Sequence, residues 1–199
     1  MINELIVQKA NYLFEQYGLR SVTIDDVCKE LRISKKTFYN HFTQKEELVD
    51  AVITFQKKQQ IEKYEKLLKN KNAIESLIII INEIRKSMEN ESQFICHDLE
   101  KYYPKIFKKH EDINRENTRI GFELNLKQGI DEGFYRQDID VELLSHFHSI
   151  QIKNTFEQLK ETTNKYTKKR LLEFFIDLIV HFIANEKGLQ YMNDHKMAK

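Results

Sequence analysis

One proline and five glycines are all that 199 residues contain of the two strongest chain breakers, so long helices are expected and strands are not. Tryptophan is absent, and the two cysteines, Cys28 and Cys96, form no C-x-x-C pair and have no second thiol nearby. That excludes a disulfide framework and fits free thiols in a reducing compartment. Charge of one sign is missing too. With 32 basic and 31 acidic side chains the formal charge is +1, so any affinity for a polyanion must come from a local cluster. Long hydrophobic runs are lacking: the most apolar stretch, "RLLEFFIDLIVHFIANEKG", is short and interrupted by Asp177 and His181, so no membrane span is expected. The opening residues alternate charged and apolar side chains, unlike a signal peptide, and a cytoplasmic protein is expected. No P-loop, G-x-S-x-G or G-x-G-x-x-G occurs, so neither an enzyme nor a bound cofactor is expected. His146 and His148 stand two apart, nearly opposite on a helix, which is poor spacing for a shared metal, and no metal site is assigned.

What is present is an apolar content of 41% beside 32% charged residues, enough for a folded core. Ile2, Leu5, Ile6, Ala10, Leu13, Phe14 and Tyr17 repeat at helical spacing, and Gly18 supplies a stop. Thr23 with Asp26 is a capping-box pattern opening a short helix through Leu31. Ser34 can cap the next helix, and Thr43 with Glu46 repeats the capping box before a longer one, which runs into the charged segment "QKKQQIEKYEKLLKNKN". Asn72 can cap a helix bearing Ile74, Leu77, Ile78, Ile81 and Ile84. Shorter pieces broken around Pro104 follow, then a helix across Asp112 to Ile130. Asp140 can cap a helix to about Leu159 with two apolar stripes, one through Leu144 and Phe147 and one through Val141, Ile152 and Phe156. The last helix is apolar nearly all round, which implies burial on more than one side. The fold class is all-α, with about nine helices.

Residues 23–42 therefore read as helix, tight turn, helix. On the second helix Phe38 and Phe42 share a packing face, and Lys35, Lys36, Thr37, Tyr39, Asn40 and His41 project to solvent, where they could enter a major groove. Lys29, Arg32, Lys35, Lys36 and Lys45 oppose only Glu30, so the segment is locally basic in a neutral chain. Helix starts at Thr23, Ser34 and Thr43 offer amides and hydroxyls to phosphate oxygens, and Lys45 stands in the first turn of the fourth helix.

The segment "TIDDVCKELRISKKTFYNHFTQKEELVDAVI" resembles the DNA-binding region of the tetracycline-repressor (TetR) family of bacterial transcriptional regulators. The likeness rests on Thr followed by spaced apolar positions, then Ser-Lys-x-Thr-aromatic-Tyr-x-x-Phe and Lys-Glu-Glu-Leu, and it covers about Leu5 to Ile53. Lys36 departs from the pattern, since many members carry glycine there. The resemblance implies a three-helix helix-turn-helix domain, a fourth helix linking it to a variable helical domain, and a homodimer on an inverted-repeat operator. Many members release DNA when a small molecule enters the second domain. On matching positions it implies that Lys35, Thr37, Tyr39 and His41 lie on the recognition helix and that Thr23 and Lys45 contact phosphate.

The expected division is residues 1–50 for DNA binding and 51–199 for ligand sensing and dimerisation. Phe94, His97, Tyr102, Tyr103, Phe107, Phe122, Phe147 and Gln151 are the candidates for lining an effector cavity. The helices at about 141–160 and 168–186 have more apolar surface than one side of a domain needs and are expected to pair with their copies. The expected partners are thus double-stranded operator DNA, a second copy of the chain and a small-molecule effector. Two rivals are a helix-turn-helix regulator with no effector, and a helical binding protein whose basic motif is incidental.

Overall fold

The computed structural model describes residues 2–89, 93–161 and 166–195, and within them not the side chains of 89, 93–96, 153 and 155–161. Phe94 and Phe156 therefore lie outside the described side chains. Ten helices follow one another: α1 (Ile2–Tyr17), α2 (Ile24–Leu31), α3 (Lys35–Tyr39), α4 (Lys45–Leu68), α5 (Ala73–Glu89), α6 (Gln93–Tyr102), α7 (Pro104–Asp131), α8 (Val141–Glu161), α9 (Lys168–Ile183) and α10 (Glu186–Asp194). Among the described residues there is no strand, only an isolated antiparallel bridge between Tyr135 and Ala184.

Two helices differ from the sequence expectation. Pro104 does not break the chain into pieces but opens α7, one helix of 28 residues, because the first turn of a helix has no use for the amide that proline lacks. The last helix ends at Ile183, and a further one, α10, follows. Asn185 caps it by accepting a hydrogen bond from the Gly188 amide at 2.9 Å. Gly188, which read as a helix stop, sits inside α10 because a Cβ there would run into the Phe134 carbonyl.

The chain forms two compact units. The first comprises Met1–Lys66 and Asn90–Glu111. Its core is Ile6, Ala10, Phe14, Leu19, Val27, Phe38, Leu48, Val49 and Val52, with Leu99 added from α6. Tyr103, Ile106 and Phe107 pack against the same core, so the unit extends beyond the first 50 residues. Polar ties reinforce this. The Lys109 ammonium and His110 Nε2 each lie 2.7 Å from a carboxylate oxygen of Asp50 on α4, and Lys57 donates to the His110 carbonyl. Near the other end, Gly18 has φ +80°, which favours glycine, and ends α1; the following Arg20 donates its guanidinium to the Tyr102 hydroxyl at 3.2 Å.

The second unit comprises Leu67–Glu89 and Asp112–Lys199. Asn72 caps α5 with a reciprocal pair of bonds to Glu75, at 2.8 and 3.1 Å. Ala73, Ile74, Leu126, Tyr135 and Ile183 fill the core. The Tyr135 ring lies so close over Gly129 that any Cβ there would overlap it. Its hydroxyl donates to Asn125 at 3.0 Å, and Asn125 donates to the Ala73 carbonyl at 2.8 Å, so both buried polar groups are satisfied. Asp140 caps α8 through the Leu143 amide at 3.0 Å. Along α8 the stripes run differently from expectation: Leu144 packs on the core with Val141, whereas Phe147 turns outward with Leu143 and Ile150. On α9 one face, with Leu172, Ile179 and Val180, is buried, and the opposite one exposes Phe174, Leu178 and Phe182.

Candidate nucleic-acid interface

The geometry of the helix-turn-helix is set by its caps. Thr23 Oγ accepts from the Asp26 amide at 3.2 Å, while the Thr23 amide and hydroxyl donate to the Asp26 carboxylate at 2.8 and 2.7 Å. These bonds hold the Asp26 carboxyl below the ordinary carboxylate range. Helix α2 stops where Arg32 takes a left-handed conformation (φ 54°), and the Ile33 amide bonds back to the Cys28 carbonyl at 3.0 Å. Ser34 then accepts from the Thr37 amide at 3.0 Å, and its hydroxyl also meets that of Thr37 at 2.8 Å. Two residues of turn therefore separate the caps, and α3 is launched in a fixed direction.

On α3 the two sides are cleanly divided. Phe38 is 0% exposed and packs with Phe42, their centroids 5.7 Å apart. Lys35, Lys36, Tyr39, Asn40 and His41 all face solvent, Thr37 is half-buried, and Thr23, Ser34 and Thr43 are exposed at the helix starts. These are the residues expected to meet DNA, and the fold brings them onto contiguous segments of one domain. Thr43 is the exception in detail. It bonds Glu47, not Glu46: its amide and hydroxyl both donate to the Glu47 carboxylate at 2.7 Å, because α4 starts at Lys45 and not one residue earlier.

Lys45 itself is half-buried. Its ammonium donates to the Leu19 carbonyl at 2.6 Å and lies 6.0 Å from the Phe14 ring centre. Burial pushes its pKa below the usual lysine value. Lys35 Nζ lies 2.8 Å from Asp25 in the first turn of α2, and this hydrogen-bonded pair raises the pKa of the lysine. Sequence reasoning missed both ties. The partners are 26 and ten residues apart, beyond any helical repeat, and only the folded turn joins them.

The residues expected to line an effector cavity are spread over both units. His97 is exposed, Tyr102 holds Arg20, and Tyr103 and Phe107 pack on the core of the first unit; burial raises the Tyr103 phenol pKa. In the second unit Phe122 is buried, Gln151 is half-buried, and Phe147 is 52% exposed. Phe122 stacks on His148 at 3.9 Å, and His148 in turn stacks on Phe175 at 5.5 Å. His148 Nδ1 is buried with no hydrogen-bond partner among the described residues, and burial pushes the imidazole pKa down to about 4. Sequence reasoning weighed this histidine only as a metal ligand. The usable signal was its place one turn from Leu144 and one from Ile152, on the inward side of α8. A surface groove between α7 and α8 is lined by Glu116, Arg119, Glu123, Lys127, Glu142 and His146. Arg119 bridges Glu116 and Glu123, and Lys127 also binds Glu123, so the groove is largely self-neutralised.

Residues 6–52 match the family model described as bacterial regulatory proteins, tetR family. The HTH-type transcriptional repressor KstR2 of Mycobacterium tuberculosis is 27% identical over 148 residues, which is 71% of this chain and 73% of that protein. A transcriptional regulator from Cytophaga hutchinsonii shares the fold with a TM-score of 0.72 and 17% identity, over 92% of this chain and 98% of that one. A protein from Saccharomonospora viridis, described as a transcriptional regulator in complex with choline, aligns with a TM-score of 0.65 and 19% identity, over 93% and 98% of the two chains.

Proposed function

We propose that this chain, which belongs to the tetR family of bacterial regulatory proteins, is a transcriptional repressor that binds an inverted-repeat operator as a homodimer and is released by a small molecule. The observation that carries the DNA-binding part is the division of α3: a buried Phe38 fixes the helix while Lys35, Lys36, Tyr39, Asn40 and His41 face outward at a helix-turn-helix. Thr23, Ser34, Thr37 and Thr43 flank that face, and their hydroxyls and the neighbouring amides are placed to position phosphates. In this reading Lys45 works mainly by pinning the start of α4 to Leu19, and its contact with phosphate requires leaving that carbonyl.

Dimerisation is assigned to the outward faces of α8 and α9. Leu143, Phe147 and Ile150 on one helix and Phe174, Leu178 and Phe182 on the other are all exposed, and both sets are spaced for a continuous helical stripe. Phe147 is therefore better spent on a second copy than on an effector. The effector site is placed around Phe122, His148 and Gln151, where a buried unpaired ring nitrogen awaits a partner. Residues 1–50 bind DNA and the remainder senses and dimerises. Helices α4 and α7 each contribute residues to both compact units and are the natural carriers of a shift between operator-competent and released states.

A regulator without an effector is the second reading, favoured by Tyr103, Phe107 and Phe122 all being used as core. A thermal-shift screen separates the two, since a ligand that binds only the folded state raises its melting temperature. The operating place is the cytoplasm, with the DNA; none of the described helices is long and apolar enough to cross a membrane. No catalytic step is assigned to any residue. A gel shift with the promoter of the protein's own gene tests the function: salt-sensitive, sequence-selective retardation supports it, and its absence on every genomic fragment rejects it.

A further inference from the structure

Resting on that reading, the ion pair between Asp25 and Lys35 calls for a specific role. The acids around the recognition helix have other work: Asp26 caps α2 with Thr23, Glu47 bonds Thr43, and Glu30 lies 3.6 Å from Lys9. Asp25 has no such task among the described residues, and its carboxylate meets the Lys35 ammonium at 2.8 Å. It thereby places a negative charge against the first residue of α3, on the side that would approach a polyanion. The adjacent Lys36 has no ion pair among the described residues.

Exposed ion pairs contribute little to stability, since solvent screens them and two long side chains lose freedom. The pair therefore has weak justification as a staple. Its effect on binding is larger. Sequence-independent affinity for DNA comes from cations that displace condensed counterions, and a cation already matched by a carboxylate at contact distance displaces none in net terms. Base-edge contacts depend instead on where a side chain is held. A carboxylate fixing the lysine at the first turn of a recognition helix lowers the first kind of binding and orders the group for the second.

We propose that Asp25 is a specificity-determining positioning residue: by holding Lys35 it withholds one positive charge from non-specific phosphate binding, so that Lys36 and not Lys35 supplies that attraction.

The test is fluorescence anisotropy of the full-length protein on a short random-sequence duplex over a series of potassium chloride concentrations. In the wild type, Lys35→Gln should barely change the salt slope, whereas Lys36→Gln should flatten it by about 0.9. Asp25→Asn should steepen the slope by about 0.9 and tighten binding roughly eightfold at 0.1 M salt. In that background Lys35→Gln should remove the gain. Asp25→Ser should behave as Asp25→Asn does, which separates loss of charge from any local fault in α2; unchanged melting of both confirms the fold. A Lys35→Gln effect of equal size in both backgrounds, or an Asp25→Asn slope equal to wild type, overturns the proposal while leaving DNA binding intact. Absence of salt-dependent binding in every form, wild type included, overturns the DNA-binding reading beneath it.

Discussion

Tyr39 stands edge-on to Phe38, ring centroids 5.6 Å apart and planes at 88°, yet Phe38 is fully buried and Tyr39 is 49% exposed. Neighbours in sequence thus do opposite jobs, one fixing α3 on its domain and the other facing outward.

That division gives unequal costs of truncation. Phe38→Ala empties a space in the core and should destabilise the protein by about 3 to 5 kcal/mol. Tyr39→Ala forfeits mainly an edge contact and should cost about 1 kcal/mol at most, while lowering operator affinity at least tenfold. Urea melts and operator titrations of the two variants check this. Similar unfolding by both would mean that Tyr39 is a core residue.

The stack of Phe122, His148 and Phe175 makes stability depend on pH. His148 has its pKa depressed by burial from 6.5 to about 4, so the unfolded chain takes up the proton first. Its contribution is complete above pH 6.5 and is lost as pH falls toward about 4, by about 3 kcal/mol in all. His110, also pushed down by burial, acts in the same direction, and so the comparison must be with His148→Phe. The variant should lose distinctly less stability than wild type between pH 7 and pH 4.5 in urea titrations, and equal losses would remove His148 from the account.

Leu178 is 53% exposed on α9 between Phe174 and Phe182. If that face pairs with a second copy, Leu178→Glu places a desolvated charge in a hydrophobic seam, at a cost of several kcal/mol of association. Sedimentation equilibrium should show a dimer for wild type and mostly monomer for the variant, with unchanged helix content. A monomeric wild type, or a variant dimer as tight as wild type, speaks against this interface.

What the sequence made legible was whatever depends on neighbours a turn or less apart. The caps at Thr23, Ser34, Asn72 and Asp140 form as their spacing implies, and Phe38 packs inward with Phe42. The resemblance supplied the domain type and the candidate DNA contacts. The hidden features depend on distance in the chain. Nothing near Lys45 points to Leu19, and nothing near Phe107 says that it completes the core of the first unit and not a cavity. Pro104 and Gly188 misled because each is a breaker at most positions, but a proline in the first turn and a glycine under a neighbouring carbonyl are both compatible with helix.

The most direct test of the central claim, that α3 lies in the major groove, is methylation interference on an operator fragment recovered by gel shift. Methylating guanine N7, which lies in the major groove, should abolish binding at positions within both half-sites of an inverted repeat, and Tyr39→Ala should relax part of that pattern. Interference confined to adenine N3, in the minor groove, or absent altogether, would contradict it.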